Sequence, residues 1–460
     1  MPAEKKIDLQ VMMELNVGQP IEYFRTTPIE LGTGMPRAFL SFYSANYDID
    51  ASYQMFCYPK DTLKMIVYTE NGDVLWKRDL GPGVVPGHPF CNFFAFDLDG
   101  DGVDEIWFVN NRDPLHPFNL FEYCLERVDS ETGETIGQWP WPHNDTHQPM
   151  SHVFRNHIFG GYVRGEPVLI TAQGTYGPTF FQAWQSDMSL RWERNINPGH
   201  DGPAGSHVFP VFDINKDGVD EFMWGERCIE MDTGSTLFTA DGESWRGHSD
   251  MVQPVYDSAN ERWLIYTNRE NKSVQGPRVN LYDDRGERVW GAIEQGHIHK
   301  GWIGRIGANG ELIATAGKIG GQTKTLAGRF YTGVETFTFD ALTGQPYPLP
   351  YDTFDTAPID FNGDGMHEIV CGVTGGDARV IDRFGNPVHT IGGRVALCSK
   401  LIDHPGEQVL TYYRDGKVRI WADANAEDCE AAKNRYRHPF YRANRKFPTK
   451  EYVVCMLGGI

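Results

Sequence analysis

Short apolar runs alternate along the chain with turn clusters rich in Asp, Gly, Ser and Thr, the pattern of strands closed into hairpins. Seven stretches share this grammar: "IVYTENGDVLWKRDL" from Ile66, "ERVDSETGETIGQW" from Glu126, "AWQSDMSLRWERNI" from Ala183, "IEMDTGSTLFTADG" from Ile229, "LYDDRGERVWGAIE" from Leu281, "FDALTGQPYPLP" from Phe339 and "VIDRFGNPVHTIGG" from Val380. Between them runs a second phrase, intact in "FDLDGDGVDEIWFVN" from Phe96, "FDINKDGVDEFMWGE" from Phe212 and "IDFNGDGMHEIVCG" from Ile359, and worn in copies such as "VYDSANERWLIYTNR". Two hairpins per repeat make four strands, and the repeat recurs at intervals of about 40 to 70 residues. A four-stranded unit repeated radially is a propeller blade. The pattern predicts an all-β fold, a seven-bladed β-propeller with four-stranded antiparallel blades.

The expected organisation is one propeller domain over residues 1–460. Residues 1–57 form a ring-closing segment, residues 58–425 the repeats, and residues 426–460 a tail packed on the propeller. The first segment is expected to close the ring against the strand near "KVRIWADA". Composition agrees with many short strands: 50 Gly and 28 Pro supply turns, and 27 Phe and 20 Tyr suit pleated surfaces.

A net charge of -20 argues against nucleic acid as a partner, because no basic face is on offer to displace counterions from phosphate. No run of 18 apolar residues is present, so no membrane partner is expected. Eight cysteines are scattered without a C-x-x-C pair and read as buried free thiols. The start "MPAEKKIDLQ" lacks the apolar core of a signal peptide. Taken as native it implies a cytoplasmic protein, whereas removal of a leader would imply a secreted or periplasmic one.

The acidic phrases offer oxygen donors at positions 1, 3 and 5, a carbonyl at 7 and a Glu at 9. Such a set suits calcium, which accepts six to eight oxygens at flexible geometry. The expected ligands are Asp97, Asp99, Asp101 and Glu105; Asp213, Asn215, Asp217 and Glu221; and Asp360, Asn362, Asp364 and Glu368. An EF-hand would carry its Glu at position 12 between helices, so these loops are read as structural calcium sites in a β scaffold.

Chemistry in a repeat fold is expected where the repeats converge. His88, His157, His207, His248 and His299 each precede an inner-strand core by a few residues. Asn110, Tyr176, Arg227, Arg269 and Lys318 lie just past the partner strands, with Lys300 beside His299. Imidazoles titrating near neutrality with cations beside them suit acid/base work on a polar ligand. In extended structure His297 and His299 share a face, so "HIH" can hold a transition metal with Gln295 and His248. Trp141, Trp184, Trp245 and Trp302 are candidate stacking platforms for sugar rings.

Through "FDLDGDGVDEIWF", "VFDINKDGVDEFMWGERCIEMDTG" and "IDFNGDGMHEIV" the chain resembles the β-propeller polysaccharide lyases of the rhamnogalacturonan lyase and ulvan lyase type. That resemblance implies β-elimination beside a uronic acid in an acidic poly- or oligosaccharide. A base removes the C5 proton, a cation neutralises the carboxylate, and an acid protonates the leaving oxygen. His88, His157, Tyr176, His207, Arg227 and His248 are the expected catalytic residues, with His157 or Tyr176 as base and acid and His207 and His248 orienting substrate. Asn110, Arg269, His299 and Lys300 are expected to bind it. A propeller glycosidase, which would need two carboxylates facing one cleft, and a non-catalytic carbohydrate- or protein-binding propeller remain the alternatives.

Overall fold

The computed structural model describes residues 6–49, 59–143, 149–270, 276–325, 328–447 and 459–460. Cys57, Cys455 and most of the tail beyond Phe447 lie outside them. The described cysteines are Cys91, Cys124, Cys228, Cys371, Cys398 and Cys429, all free thiols, and all but Cys429 are buried.

The described strands form eight blades around a ring, one more than the seven expected. Six of the seven hairpins read from the sequence are outer strand pairs, and the one from Phe339 has a single strand, Glu335–Asp340, met by an isolated bridge from Phe339 to Pro346. The eighth outer pair is invisible as a hairpin because its strands come from opposite ends of the chain: Leu9–Asn16 pairs antiparallel with Lys417–Asp423. The "KVRIWADA" closure is therefore in place, but the N-terminal segment does more than close the ring. Tyr23–Ile29 and Ala38–Ser44 are the inner pair of a full blade whose outer pair is Lys64–Thr69 and Val74–Asp79. Their connection carries no acidic phrase, which is why this inner pair was read as a closing segment and not as half of the blade that the Ile66 hairpin completes.

A recurring contact between blades explains the turn glycines. Trp76, Trp192 and Trp290, in the outermost strands of three blades, each lie on the turn glycine of the next blade's outer hairpin, Gly133, Gly234 and Gly344. Their indole N–H groups donate to Ser130 O, Met231 O and Ala341 O at 2.9, 2.8 and 3.0 Å. A Cβ at Gly234 would stand 2.8 Å from the Trp192 ring, and its φ of +70° lies in the left-handed region. The turn chemistry that ends one hairpin thus also seats the neighbouring blade.

Because each innermost strand runs the same way, all loops from first to second strand lie at one end of the ring. The three acidic phrases are among them. Two C-terminal helices, Glu430–Arg437 and Pro439–Asn444, pack across that end. Arg435 pairs with Asp360 at 3.0 Å, Lys446 with Asp104 at 2.6 Å, and Asn444 donates to Val211 O at 3.0 Å. Among the described residues no helix is long and apolar enough to cross a membrane.

Gly234→Ala is expected to lower stability by about 2 kcal/mol or more, since left-handed backbone costs a non-glycine residue roughly 1–2 kcal/mol and the methyl group also meets the indole. Gly218 has a similar φ of +85° with nothing within 4 Å of its Cβ direction, so Gly218→Ala should cost only the backbone part. Thermal unfolding of the two variants side by side checks the difference.

Candidate functional site

The other end of the ring, where innermost strands begin and second strands finish, gathers a polar cluster from four successive blades. The loop carrying His207 runs beside the one carrying His248, since Ala204 N–H donates to Gly247 O at 2.9 Å and Ser249 N–H to Gly205 O at 3.0 Å. Glu270, just past strand Arg262–Arg269, is fixed by its own N–H donating to His248 O at 3.0 Å. The pairing of Ser249–Asp257 slips between Ser249 and Met251, and that of His297–Lys300 slips between Ile298 and Lys300. Such bulges re-aim side chains. Here they accompany the convergence of Asp250 and His299.

Asp250, 1 % exposed, is the hub. Its Oδ2 lies 3.0 Å from His297 Nε2 and 2.9 Å from His299 Nδ1, and its Oδ1 lies 3.4 Å from His207 Nε2 and 3.7 Å from His248 Nδ1. Burial works against its ionisation, but hydrogen bonds from His297 and His299 hold it well below the usual carboxylate range. Glu270 Oε2 approaches His248 Nδ1 at 3.0 Å and accepts from the Tyr176 hydroxyl at 3.1 Å. That hydroxyl is also 3.4 Å from His207 Nε2. Tyr176 holds φ at +62°, a strained conformation for a bulky residue, with its ring 4.3 Å from that of His248 and the Arg155 guanidinium 5.4 Å over its face. On the far side, Tyr331 OH meets His299 Nε2 at 3.1 Å; it comes from the hairpin Gly321–Thr325 and Gly328–Thr332. A cavity of about 380 Å³ opens over these groups, lined by Tyr176, Arg246, His248, Glu270 and His297 among others.

Of the expected site residues, Tyr176, His207, His248, His297 and His299 come together here. His88 lies elsewhere, 3.2 Å from Asn92, and His157 packs against Phe209 and Trp224 with ring centroids 4.5 and 5.7 Å away. Asn110 donates to Glu126 at 2.6 Å. Arg227 is buried near Thr236 and Gly202. Arg269 is held by Glu226 at 3.0 Å and Asp241 at 2.8 Å and stacks on Trp245. Lys300 pairs with Asp355 at 2.6 Å. The four tryptophans offered as sugar platforms are buried instead: Trp141, Trp184, Trp245 and Trp302 donate to Asn156, Thr171, Glu226 and Thr356. Asp250, Glu270, Tyr331 and the rim cation Arg246 were missed. For Asp250 the signal was there, because "HSD" in one blade and "HIH" in the next place paired donors at the same spacing.

The acidic loops differ from one another. In the first, the Asp97, Asp99, Asp101 and Glu105 oxygens lie within 4.8 Å of each other, and the Arg127 guanidinium bonds Asp99 and Glu105. In the third, Arg435 bonds both Asp360 and Gly365 O, while Asn362 donates to Glu368 and Asp364 accepts from Met366 N. In the second, Asp213 accepts from Asp217 N and Gly218 N, Asn215 donates to Asp217, and Lys216 turns away onto Glu261 O. Burial, aided by Asp213, Asp217 and Asp220, pushes Glu221 from 4.5 up to about 8.

Comparisons with known proteins place this geometry in context. The chain is 25 % identical over 274 residues to the rhamnogalacturonan exolyase YesX of Bacillus subtilis, covering 52 % of this chain and 44 % of the relative. It is 22 % identical over 295 residues to the rhamnogalacturonan endolyase YesW of the same organism, covering 55 % and 47 %. The chain spans about half the length of the curated relatives it matches. Among solved structures, the exotype rhamnogalacturonan lyase YesX superposes with a TM-score of 0.74 at 17 % identity, over 96 % of this chain and 80 % of that one. The Bacillus licheniformis rhamnogalacturonan lyase PL11 gives 0.75 at 16 %, over 97 % and 81 %. The fold is that of a β-propeller polysaccharide lyase, as the acidic phrases implied. No family model matches the chain.

A carboxyl group whose folded pKa is raised contributes stability that is complete below its unfolded value and lost as pH climbs through the folded one. For Glu221 that window runs from about 4.5 to about 8. In chelator-containing buffer the melting temperature should fall across this range, and Glu221→Gln should flatten the fall. Thermal unfolding at a series of pH values reads both.

Proposed function

We propose that this protein is a carbon–oxygen lyase that cleaves a uronic-acid-containing poly- or oligosaccharide by β-elimination in the cavity over Asp250. The observation that carries the reading is the Tyr176 hydroxyl at the mouth of a buried His/Asp/Glu cluster, with the Arg246 cation at the rim. The names of the relatives support the substrate class.

Elimination needs three things: a proton taken from C5, neutralisation of the adjacent carboxylate, and a proton given to the oxygen that leaves C4. The C5–H electron pair becomes the new C4–C5 double bond as the C4–O bond breaks. Tyr176, in contact with Glu270 and His207, can move a proton between the sugar and those groups. Arg246 is exposed at the rim and offers a guanidinium to the uronate carboxylate. The expected transition metal at His297 and His299 fits the donors present, and when bound it would supply positive charge beside the same carboxylate. His207 and His248 position Tyr176 and Glu270 from below. His88 and His157 have no part in this arrangement.

Calcium at the acidic loops belongs to the same reading, with the second loop best suited. Its acids meet no Lys or Arg side chain in the contacts described, and a hard cation would offset the burial and the neighbouring carboxylates that together keep Glu221 protonated.

Wild type incubated with rhamnogalacturonan and other uronate polymers should generate the ultraviolet absorbance of an unsaturated uronate. Tyr176→Phe should lose about 10²–10⁴-fold in turnover, the range of a positioned acid or base, with an unchanged melting temperature. Reducing ends without that absorbance would mean hydrolysis and sink the reading. His157→Ala, cutting a ring packed on Phe209 and Trp224, should instead cost stability, on the order of 3 kcal/mol if it behaves like other buried rings.

A further inference from the structure

We infer that the cluster is a two-cation centre, with Asp250 bridging two separate seats. This rests on the reading of the cavity as the reactive site and goes beyond the single metal expected at His297 and His299.

The geometry of the second seat comes first. His297 Nε2, His299 Nδ1 and Asp250 Oδ2 form a nearly equilateral triangle with edges of 3.0, 2.9 and 3.3 Å. Donors bonded at about 2.0–2.1 Å to a tetrahedral cation stand about 3.3 Å apart, so the triangle is close to one face of such a centre. The far nitrogen of His299 is held by Tyr331 OH, the outer-shell support that a ligating imidazole usually has.

The first seat uses the other carboxylate oxygen. Asp250 Oδ1 lies 3.4 Å from His207 Nε2 and 3.7 Å from His248 Nδ1, Glu270 Oε2 lies 3.0 Å from that Nδ1, and the four residues each offer a ligand atom within 4.8 Å of the others. His248 is 3 % exposed, yet neither of its ring nitrogens makes a hydrogen bond to the described residues, despite the 3.0 Å approach of Glu270 Oε2. The groups are close without being aimed at each other. That arrangement is expected when donors converge on a shared third atom rather than on their neighbours.

One carboxylate with an oxygen in each seat is how paired cations about 3.5–4 Å apart are commonly bridged. Nitrogen-rich seats on imidazoles suit first-row divalent metals such as zinc, cobalt or nickel rather than calcium. The pair would draw a uronate carboxylate across the cavity mouth, where Tyr176 stands over the first seat.

The test uses metal-stripped full-length protein, with the acidic loops first saturated with calcium, titrated with Co²⁺. Nitrogen ligation gives strong visible absorption that all-oxygen sites lack. Two equivalents per chain are expected at these bands. His248→Asn should leave one equivalent and His297→Asn the other, and Asp250→Ala should weaken both. Tyr331→Phe should weaken only the second seat, by about 10–100-fold. In protein loaded with Mn²⁺ instead, spin coupling between the two ions should appear, a measurement on wild type that needs no variant to fold. One equivalent in wild type, loss of all uptake in either histidine variant, or the absence of coupling would overturn the two-cation centre. Two equivalents bound without elimination on any uronate polymer would leave the centre standing and sink the proposed function.

Discussion

A propeller's ring is held shut only when its last blade is completed, and here that closure is one antiparallel pairing between strands far apart in the chain. Leu9–Asn16 supplies the outermost strand of a blade whose other three strands lie between Arg394 and Asp423. The register runs from Leu9 opposite Asp423 to Asn16 opposite Lys417, with one irregularity between Val11 and Met13. Closing a loop of this length costs conformational entropy that local contacts cannot recover. Everything else inherits from it, because the ring fixes the distance between loops that are far apart in sequence.

What the ring brings together would be costly anywhere else. A carboxylate 1 % exposed is unfavourable unless ionic or hydrogen-bonded partners surround it, and Asp250 has four imidazoles within 3.7 Å. Four histidines around a single carboxylate are themselves an awkward set: all protonated they repel, and all neutral they leave one negative charge buried. The structure tolerates this next to a strained Tyr176 and beneath an open cavity, whereas buried guanidinium groups elsewhere are met by carboxylates, as in Arg269 with Glu226 and Asp241 or Arg435 with Asp360. The C-terminal helices and their cations occupy one end of the ring, and the unbalanced cluster the other.

The outer hairpins were legible because turn chemistry and strand alternation are local, and the glycine of each turn carries a second constraint from the neighbouring tryptophan. The blade count was not, since a strand pair assembled from both termini leaves no hairpin to read. Within the site the same contrast holds. Five histidines occupy equivalent places along the repeats, yet only three converge, because position along a blade fixes which end of the ring a side chain reaches and not what covers it. His157 is covered by Phe209 and Trp224 of the next blade, a contact no single repeat encodes. Tyr331 was equally hidden, since it belongs to an inserted hairpin outside the repeat. Asp250 was legible in the His-x-Asp spacing but competed with many acidic residues of stronger pattern.

Those stronger patterns mark loops that the chain has answered in different ways. Burial raises the glutamate of all three loops, Glu105, Glu221 and Glu368, above its usual range, but only in the first and third do Arg127 and Arg435 place a guanidinium on the acids among the described contacts. A guanidinium is a permanent cation delivered by the fold, so part of the negative charge of those two loops is offset when the ring and its helices form. The second has no such guanidinium among the described contacts, and the proton held by its buried Glu221 is what offsets its charge. One sequence phrase repeated in three blades therefore carries two electrostatic solutions, and the difference lies in residues well outside the phrase.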